Sequence, residues 1–342
     1  MQNVLAILLA GGAGERLYPL TRDTAKPAVP FGGAYRIIDF TLSNCINSDV
    51  RRILILTQYK SLELIRHIRD GWRILSPELG EYIEVLPPMK RVHEDWYQGT
   101  ADAVYQNFQS IEVEAPDLTL ILAGDHIYKM DYGEMLDWHR TYGAEITMAT
   151  IQVPPSAAGR YGVMDIAEDY RVTGFEEKPQ HDHPARSPFD AAMVSASMGI
   201  YVFNTSLLLR ALHEDSRAQS STHDFAKDVI PRLLESCRVG RLRFQGPQRQ
   251  TVALLAGCGN ARRLLRGQHG PGVGNAGIQP LRPALADSHQ GYAAAAGQIR
   301  FRAEGTADGT RSRFHCERRL HRLRWPGAAQ RALARRAGEQ LL

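Results

Sequence analysis

Val4-Leu5-Ala6-Ile7-Leu8-Leu9-Ala10-Gly11-Gly12-Ala13-Gly14-Glu15-Arg16-Leu17 sets seven apolar residues directly against a glycine-rich turn. A continuous apolar run of that length reads as a strand buried on both faces, the habit of parallel sheets. The glycines let backbone N–H groups approach phosphate oxygens closely, and Arg16 can add charge-assisted bonds to them. No Lys-Ser/Thr pair closes the loop, and the spacing is not GxGxxG. Both a P-loop NTPase and a dinucleotide-binding oxidoreductase are therefore disfavoured.

Outward from this stretch, strand-like and helix-like segments alternate. Ile53 to Thr57 reads as a strand and Leu62 to Ile68 as a helix. Apolar residues at Ala101, Val104, Tyr105, Phe108 and Ile111 predict one helix over Thr100 to Ile111. Leu118 to Ala123 is another buried strand, ending in Gly124-Asp125-His126; Tyr132 to Tyr142 reads as helix and Glu145 to Ile151 as strand. From Tyr161 short strands take over, at Gly162 to Ile166, Arg171 to Phe175 and Ser197 to Phe203. His223-Asp224-Phe225 opens a helix expected to run through Val229 and stop at Pro231. The alternation predicts an α/β fold with a mostly parallel mixed sheet.

The 342 residues leave room for one large domain and a smaller second one. The longest apolar runs are of strand length, far short of the roughly 20 residues a membrane span needs. No charged leader followed by a long apolar stretch opens the chain, so secretion is not expected. Cys45, Cys237, Cys258 and Cys316 show no CxxC spacing. That excludes zinc ribbons and disulfide scaffolds and predicts reduced thiols in a cytoplasmic protein. Charge is divided sharply. Residues 246–342 carry 16 Arg, no Lys and 5 acidic groups, a net of +11, whereas residues 1–245 hold 25 basic and 32 acidic groups, a net of −7. A basic tail would ordinarily suggest nucleic acid.

The string Leu-Ala-Gly-Gly-x-Gly-x-Arg-Leu, followed ten residues after Arg16 by Lys26-Pro27-Ala28, resembles the signature of nucleotidyltransferases that join a sugar 1-phosphate to a nucleotide. Further stretches are similar to bacterial glucose-1-phosphate adenylyltransferases (ADP-glucose pyrophosphorylases). They are Arg36-Ile37-Ile38-Asp39-Phe40, Leu42-Ser43-Asn44-Cys45-Ile46-Asn47-Ser48, Trp96-Tyr97-Gln98-Gly99-Thr100, Leu122-Ala123-Gly124-Asp125-His126, Phe175-Glu176-Glu177-Lys178-Pro179, Ser197-Met198-Gly199 and His223-Asp224-Phe225. The resemblance implies a Rossmann-like nucleotidyltransferase domain over residues 1–245, acting on ATP and glucose 1-phosphate with Mg²⁺. It makes Asp125 a Mg²⁺ ligand, and Arg16 and Lys26 the cations around the triphosphate and the leaving pyrophosphate. Lys178 would bind the sugar phosphate and Glu177 the glucose hydroxyls, with Tyr97, Gly162 and Ser197 as further glucose 1-phosphate contacts. Gly11, Gly12, Gly14 and Gln58 would serve the nucleotide, and Arg36 matches an arginine of the effector site. His126 is expected to pack rather than ligate, Trp96 to brace the loop of Tyr97, and Trp72 and Trp138 to be ordinary packing residues. Such enzymes are homotetramers. Thymidylyl or uridylyl transfer is disfavoured by Trp96-Tyr97-Gln98-Gly99-Thr100.

Two departures stand out. The Lys-Arg pair and the His of the enterobacterial effector site are replaced by Asp23, Thr24 and Pro30, which argues against regulation by fructose 1,6-bisphosphate and AMP in that manner. The second departure concerns the segment YWRDVGTLDAYYEANMDL, expected near residue 254 and carrying a second metal aspartate. Leu254 to Pro271 instead reads LLAGCGNARRLLRGQHGP. A DNA that encodes the family segment, with only the third base of each codon free to choose, yields all of those residues when read from one base earlier. The same offset converts Ile278 to His289, IQPLRPALADSH, into the family-like FNLYDPLWPIH. The chain is therefore expected to pass out of frame between about 235 and 253. Residues 246–342 are then an atypical, poorly ordered tail that lacks the usual carboxy-terminal β-helix used for subunit contact. Its basic charge is a by-product and no nucleic-acid binding is expected. A catalytically inactive chain is the rival reading.

Overall fold

The opening apolar run forms β1 (Val4–Leu9), an interior strand of a nine-stranded sheet. A computed structural model describes residues 3–12, 14–58, 60–88, 96–181 and 184–243, together with the backbone of 278–280 and 299–301. After β1 come a short hairpin, β2 (Pro30–Phe31) and β3 (Tyr35–Arg36), then α1 (Ile37–Asn47), β4 (Arg52–Leu56), α2 (Leu62–Gly71) and β5 (Tyr82–Leu86). Next follow α3 (Thr100–Tyr105), α4 (Phe108–Glu114), β6 (Leu118–Ala123), α5 (Tyr132–Tyr142) and β7 (Ile146–Val153). Then come β8 (Gly162–Ile166), β9 (Val172–Glu177), β10 (Val194–Asn204), α6 (Thr205–Ser216), α7 (Ile230–Leu234) and β11 (Val239–Arg243).

The strand order is β11-β7-β10-β6-β1-β4-β5, with β8 and β9 branching from β10. Along that row every strand is parallel to β1 except β10, which runs antiparallel to both β6 and β7. Alternation along β1 divides the core into two layers. Val4, Ala6 and Leu8 face α1, α2 and α5 through Ile38, Leu42, Leu64, Ile68 and Met135. Leu5 and Ile7 face the other side, where Val104, Leu208, Leu212 and Phe225 cover them. A sheet buried on both faces explains why β1 and β6 read as unbroken apolar runs.

Two sequence expectations fail for local reasons. Thr100 to Ile111 is two helices, not one. The Asn107 side-chain amide donates to the Ala103 carbonyl at 2.8 Å, the acceptor that the next helical turn would have used. A short polar side chain thus competes with the backbone and breaks the helix. Nor does Pro231 end the helix that begins after His223. Phe225–Val229 forms a wider π-type turn, and Pro231 sits at the start of α7. A proline at the start of a helix has no N–H to leave unpaired, so the chain continues.

The boundary expected at residue 245 falls just past β11. Of the tail, only β12 (Ile278–Pro280) and β13 (Ile299–Phe301) are described, paired antiparallel. The rest of the expected out-of-frame segment, including residues 302–342, lies outside the described residues.

Candidate active site

Open parallel sheets leave a crevice beyond the carboxyl ends of their strands. Here β1, β4 and β6 end side by side, and the residues just past them (Gly11, Gly12, Gln58 and Asp125) line a cleft of about 330 Å³. Lys26, Tyr97, Thr100 and Asp224 close its other walls.

Gly14 has φ +65, and a Cβ there would lie 2.8 Å from the Cβ of Lys26. Only glycine accepts that backbone without strain, and the tight turn lets the Lys26-Pro27-Ala28 segment fold down beside it. The Lys26 ammonium then reaches the Asp125 carboxylate at 2.7 Å, across 99 residues of sequence. Burial opposes ionisation of Asp125, but His126 and Lys26 outweigh it, holding the carboxyl well below the usual range. His126 Nε2 lies 3.3 Å from the other carboxylate oxygen, and burial keeps this imidazole below its ordinary value. The pair is therefore a fixed cation beside a fixed anion, open to solvent on one side.

The Tyr97 loop is braced from below. Buried Asp102 accepts hydrogen bonds from the Gln98 N–H and the Gln106 amide, both at 2.9 Å. The Tyr97 hydroxyl accepts from the Asn107 amide at 3.0 Å. Burial raises Tyr97 above the normal phenol range, and the Asn107 bond acts against it. Trp96, expected to do the bracing, is instead exposed. Trp72 and Trp138 do pack: the Trp72 indole donates to Asp39 at 2.9 Å, and the Trp138 ring stacks on Tyr142.

The residues expected to hold a sugar phosphate gather separately on β8, β9 and β10. A Cβ on Gly162 would fall 2.2 Å from the Phe175 ring and 2.9 Å from the Glu177 carboxylate. Glycine there is a demand of packing: it leaves space for the carboxylate. Lys178 has φ +52 and pairs with the adjacent Glu177 carboxylate. Ser197 begins a bulge in β10, and its hydroxyl accepts from the Gly199 N–H at 3.1 Å. Tyr201, raised by burial above the normal phenol range, hydrogen-bonds Ser197 and feels the charges of Asp224 and Glu177.

One residue expected at the triphosphate lies elsewhere. Arg16 is exposed in the turn after Gly14 and does not line the cleft. Arg36 turns its guanidinium onto the Ala28 carbonyl, so it supports the Lys26 turn from behind. Sequence reasoning gave Asp224 and Tyr201 no role. Asp224 accepts from Thr100 Oγ1 at 3.1 Å and from the Ala226 and Lys227 N–H groups, locking the cleft wall to α3. The signal was the intact His223-Asp224-Phe225 string.

Mg²⁺ takes oxygen donors and keeps several waters beside one or two carboxylates and substrate phosphates. Asp125 offers one half-buried carboxylate on the cleft wall. No group of three His, Cys, Asp or Glu side chains suited to a metal occurs among the described residues. This donor set fits a cation whose shell is completed by phosphate oxygens and water, not one caged by protein alone.

Comparison with known proteins agrees with this arrangement. Residues 5–246 match the family model described as nucleotidyl transferase. The chain is 57% identical over 245 residues to a glucose-1-phosphate adenylyltransferase of Koribacter versatilis, covering 71% of this chain and 58% of that protein. It is 52% identical over 246 residues to glucose-1-phosphate adenylyltransferase 2 of Vibrio parahaemolyticus, covering 72% and 60%. Against the Rhodopirellula baltica glucose-1-phosphate adenylyltransferase it is 51% identical over 254 residues, covering 74% and 56%. The matched part spans less than two thirds of each relative's length. With its glycine turn, cleft and charge pair all inside the matched residues, the chain belongs to the nucleotidyl transferase family.

Proposed function

We propose that the cleft transfers the adenylyl group of ATP to glucose 1-phosphate, giving ADP-glucose and pyrophosphate. A phosphate oxygen of the sugar phosphate attacks the α-phosphorus of ATP, and the bond to the β-phosphate breaks as pyrophosphate leaves. Both reactants are anions, so catalysis consists mainly of neutralisation and alignment. The observation that carries the reading is the Lys26–Asp125 pair set beside the glycine turn at the ends of three parallel strands. The names of the relatives support the choice of nucleotide and sugar.

In this reading Lys26 neutralises the phosphates between which the bond breaks, and Arg16 closes over them from the exposed turn. The backbone N–H groups of Gly11 and Gly12 approach the triphosphate, and Gln58 faces the base. Lys178 binds the sugar phosphate, while Glu177, Tyr97, Ser197 and the Gly162 backbone hold the glucose. Asp125 would hold Mg²⁺, which when bound would supply positive charge to the phosphate oxygens. Purified protein given ATP, glucose 1-phosphate and Mg²⁺ should release pyrophosphate only when both substrates are present. Release without the sugar phosphate would overturn the assignment.

The frame change bears on how much activity this chain retains. Support for it comes from codon arithmetic and from the family match stopping at residue 246. β11 stays in register with β7 as far as Arg243 opposite Thr150, which supports a change beyond that strand. The literal chain, without the second metal aspartate, should turn over slowly and dissolve poorly. Resequencing the codons that follow β11 tests this directly, and a continuous frame would refute it.

A further inference from the structure

We propose that helix α1 is the spacer that sets the Lys26–Asp125 pair, with Asn44 and Asp39 as its positioning residues. Lys26 and Asp125 lie on unrelated loops, and neither loop contains regular structure long enough to fix the other. Both loops are tied to α1. On one side of the helix, Asn44 spans the segment that follows Asp125. Its amide donates to the Tyr128 carbonyl at 3.2 Å, and its carbonyl oxygen accepts from the Met130 N–H at 3.3 Å. One turn on, the Ser48 hydroxyl accepts from the Tyr132 N–H at 2.7 Å; one turn back, the Thr41 hydroxyl donates to the Ala123 carbonyl at 3.4 Å. Thr41, Asn44 and Ser48 follow helical spacing and form a single row. The residues they grip run from Ala123 to Tyr132 and enclose Asp125.

Asp39 points from the opposite side and is fully buried. It accepts from the Arg36 N–H at 2.8 Å, from His67 Nε2 at 2.7 Å and from the Trp72 indole at 2.9 Å. A buried carboxylate with three donors is fixed in place. It anchors Arg36, whose guanidinium holds the Ala28 carbonyl at the end of the Lys26 turn. The Ile37 N–H also donates to the Val29 carbonyl at 3.2 Å. One rigid helix therefore holds both partners of the pair, and its polar residues explain the strings at 36–40 and 42–48, which lie outside the cleft wall. The consequence for turnover rests on the adenylyl-transfer reading; the geometry does not.

The test reads Lys26 directly. Trypsin does not cut the Lys26-Pro27 bond, so the tryptic peptide Asp23–Arg36 contains Lys26 as its single lysine. Brief acetic anhydride labelling of the full chain, followed by mass spectrometry, gives the reactivity of Lys26 relative to exposed Lys227. Asp125→Asn is the control that removes the ion pair. Asn44→Leu should raise the Lys26/Lys227 ratio about fivefold, the size expected when a partly exposed ion pair is lost, and Asp39→Asn should raise it in the same direction. Asn44→Gln, which keeps the amide, should restore part of the parent value. An unchanged ratio in an Asn44→Leu protein with the parent's near-ultraviolet circular dichroism would overturn the proposal. If that variant does not fold, Thr41→Val and Ser48→Ala replace it, and unchanged ratios in both are equally fatal. An inactive parent with the predicted labelling pattern would count against the catalytic reading alone.

Discussion

The two lysines of the site are held in opposite ways. Lys26 meets a carboxylate 99 residues distant, with 17% of its side chain exposed, and the loops of both partners are anchored to one buried helix. Lys178 pairs only with its neighbour Glu177, is 45% exposed and sits at a positive φ at the end of β9. Fixed charges that need not rearrange suit the side of a reaction where charge develops. An exposed cation paired only with its neighbour suits capture of a substrate, since binding exchanges one partner for another. The contrast predicts that Lys26 and Asp125 act on the rate and Lys178 on affinity.

Variants of a chain with the family frame restored would sharpen that contrast. Asp125→Asn and Lys26→Gln should each lower kcat about a thousandfold with little change in substrate KM, the range for removing one charge stabiliser from a preorganised site. Steady-state pyrophosphate release measures this, and equal damage to KM would blur the contrast. Lys178→Gln should raise the KM for glucose 1-phosphate about thirtyfold, the cost of a charge-assisted hydrogen bond, with kcat nearly unchanged. Gly162→Ala should destabilise by about 2 kcal/mol through overpacking against Phe175, seen as a lowered denaturation midpoint.

The smallest effect is pH dependence. Asp125 titrates below its unfolded value, so its contribution to stability is present at neutral pH and lost as pH falls through the folded value. Solvent screening keeps that contribution small. Parent and Asp125→Asn should thus differ slightly in melting temperature at pH 6 and converge on strong acidification. A gap that widens in acid would give the wrong sign.

Strands buried on both faces were legible because their composition alone marks them: β1 and β6 fall where the apolar runs place them. The broken helix at Asn107 was not legible, since a side chain that caps Ala103 looks like any polar surface residue. Asp39 is a stronger case. Its three donors come from Arg36, His67 and Trp72, and only the tertiary fold brings the last two to it. Motif resemblance located the cleft residues Gly11, Gly12, Lys26, Gln58, Tyr97 and Asp125. It gave no sign that the Arg36 guanidinium would hold the Ala28 carbonyl, because that contact depends on the local fold and not on the motif.

The central claim is that residues 1–243 form a cleft in which two phosphates are brought together. Incubating labelled pyrophosphate with ADP-glucose and Mg²⁺, and counting label in ATP, tests it in the reverse direction. With the frame restored after residue 243, label should appear in ATP only when ADP-glucose is present and should vanish in Asp125→Asn. Label that forms without the nucleotide sugar, or that survives the loss of Asp125, would contradict the account.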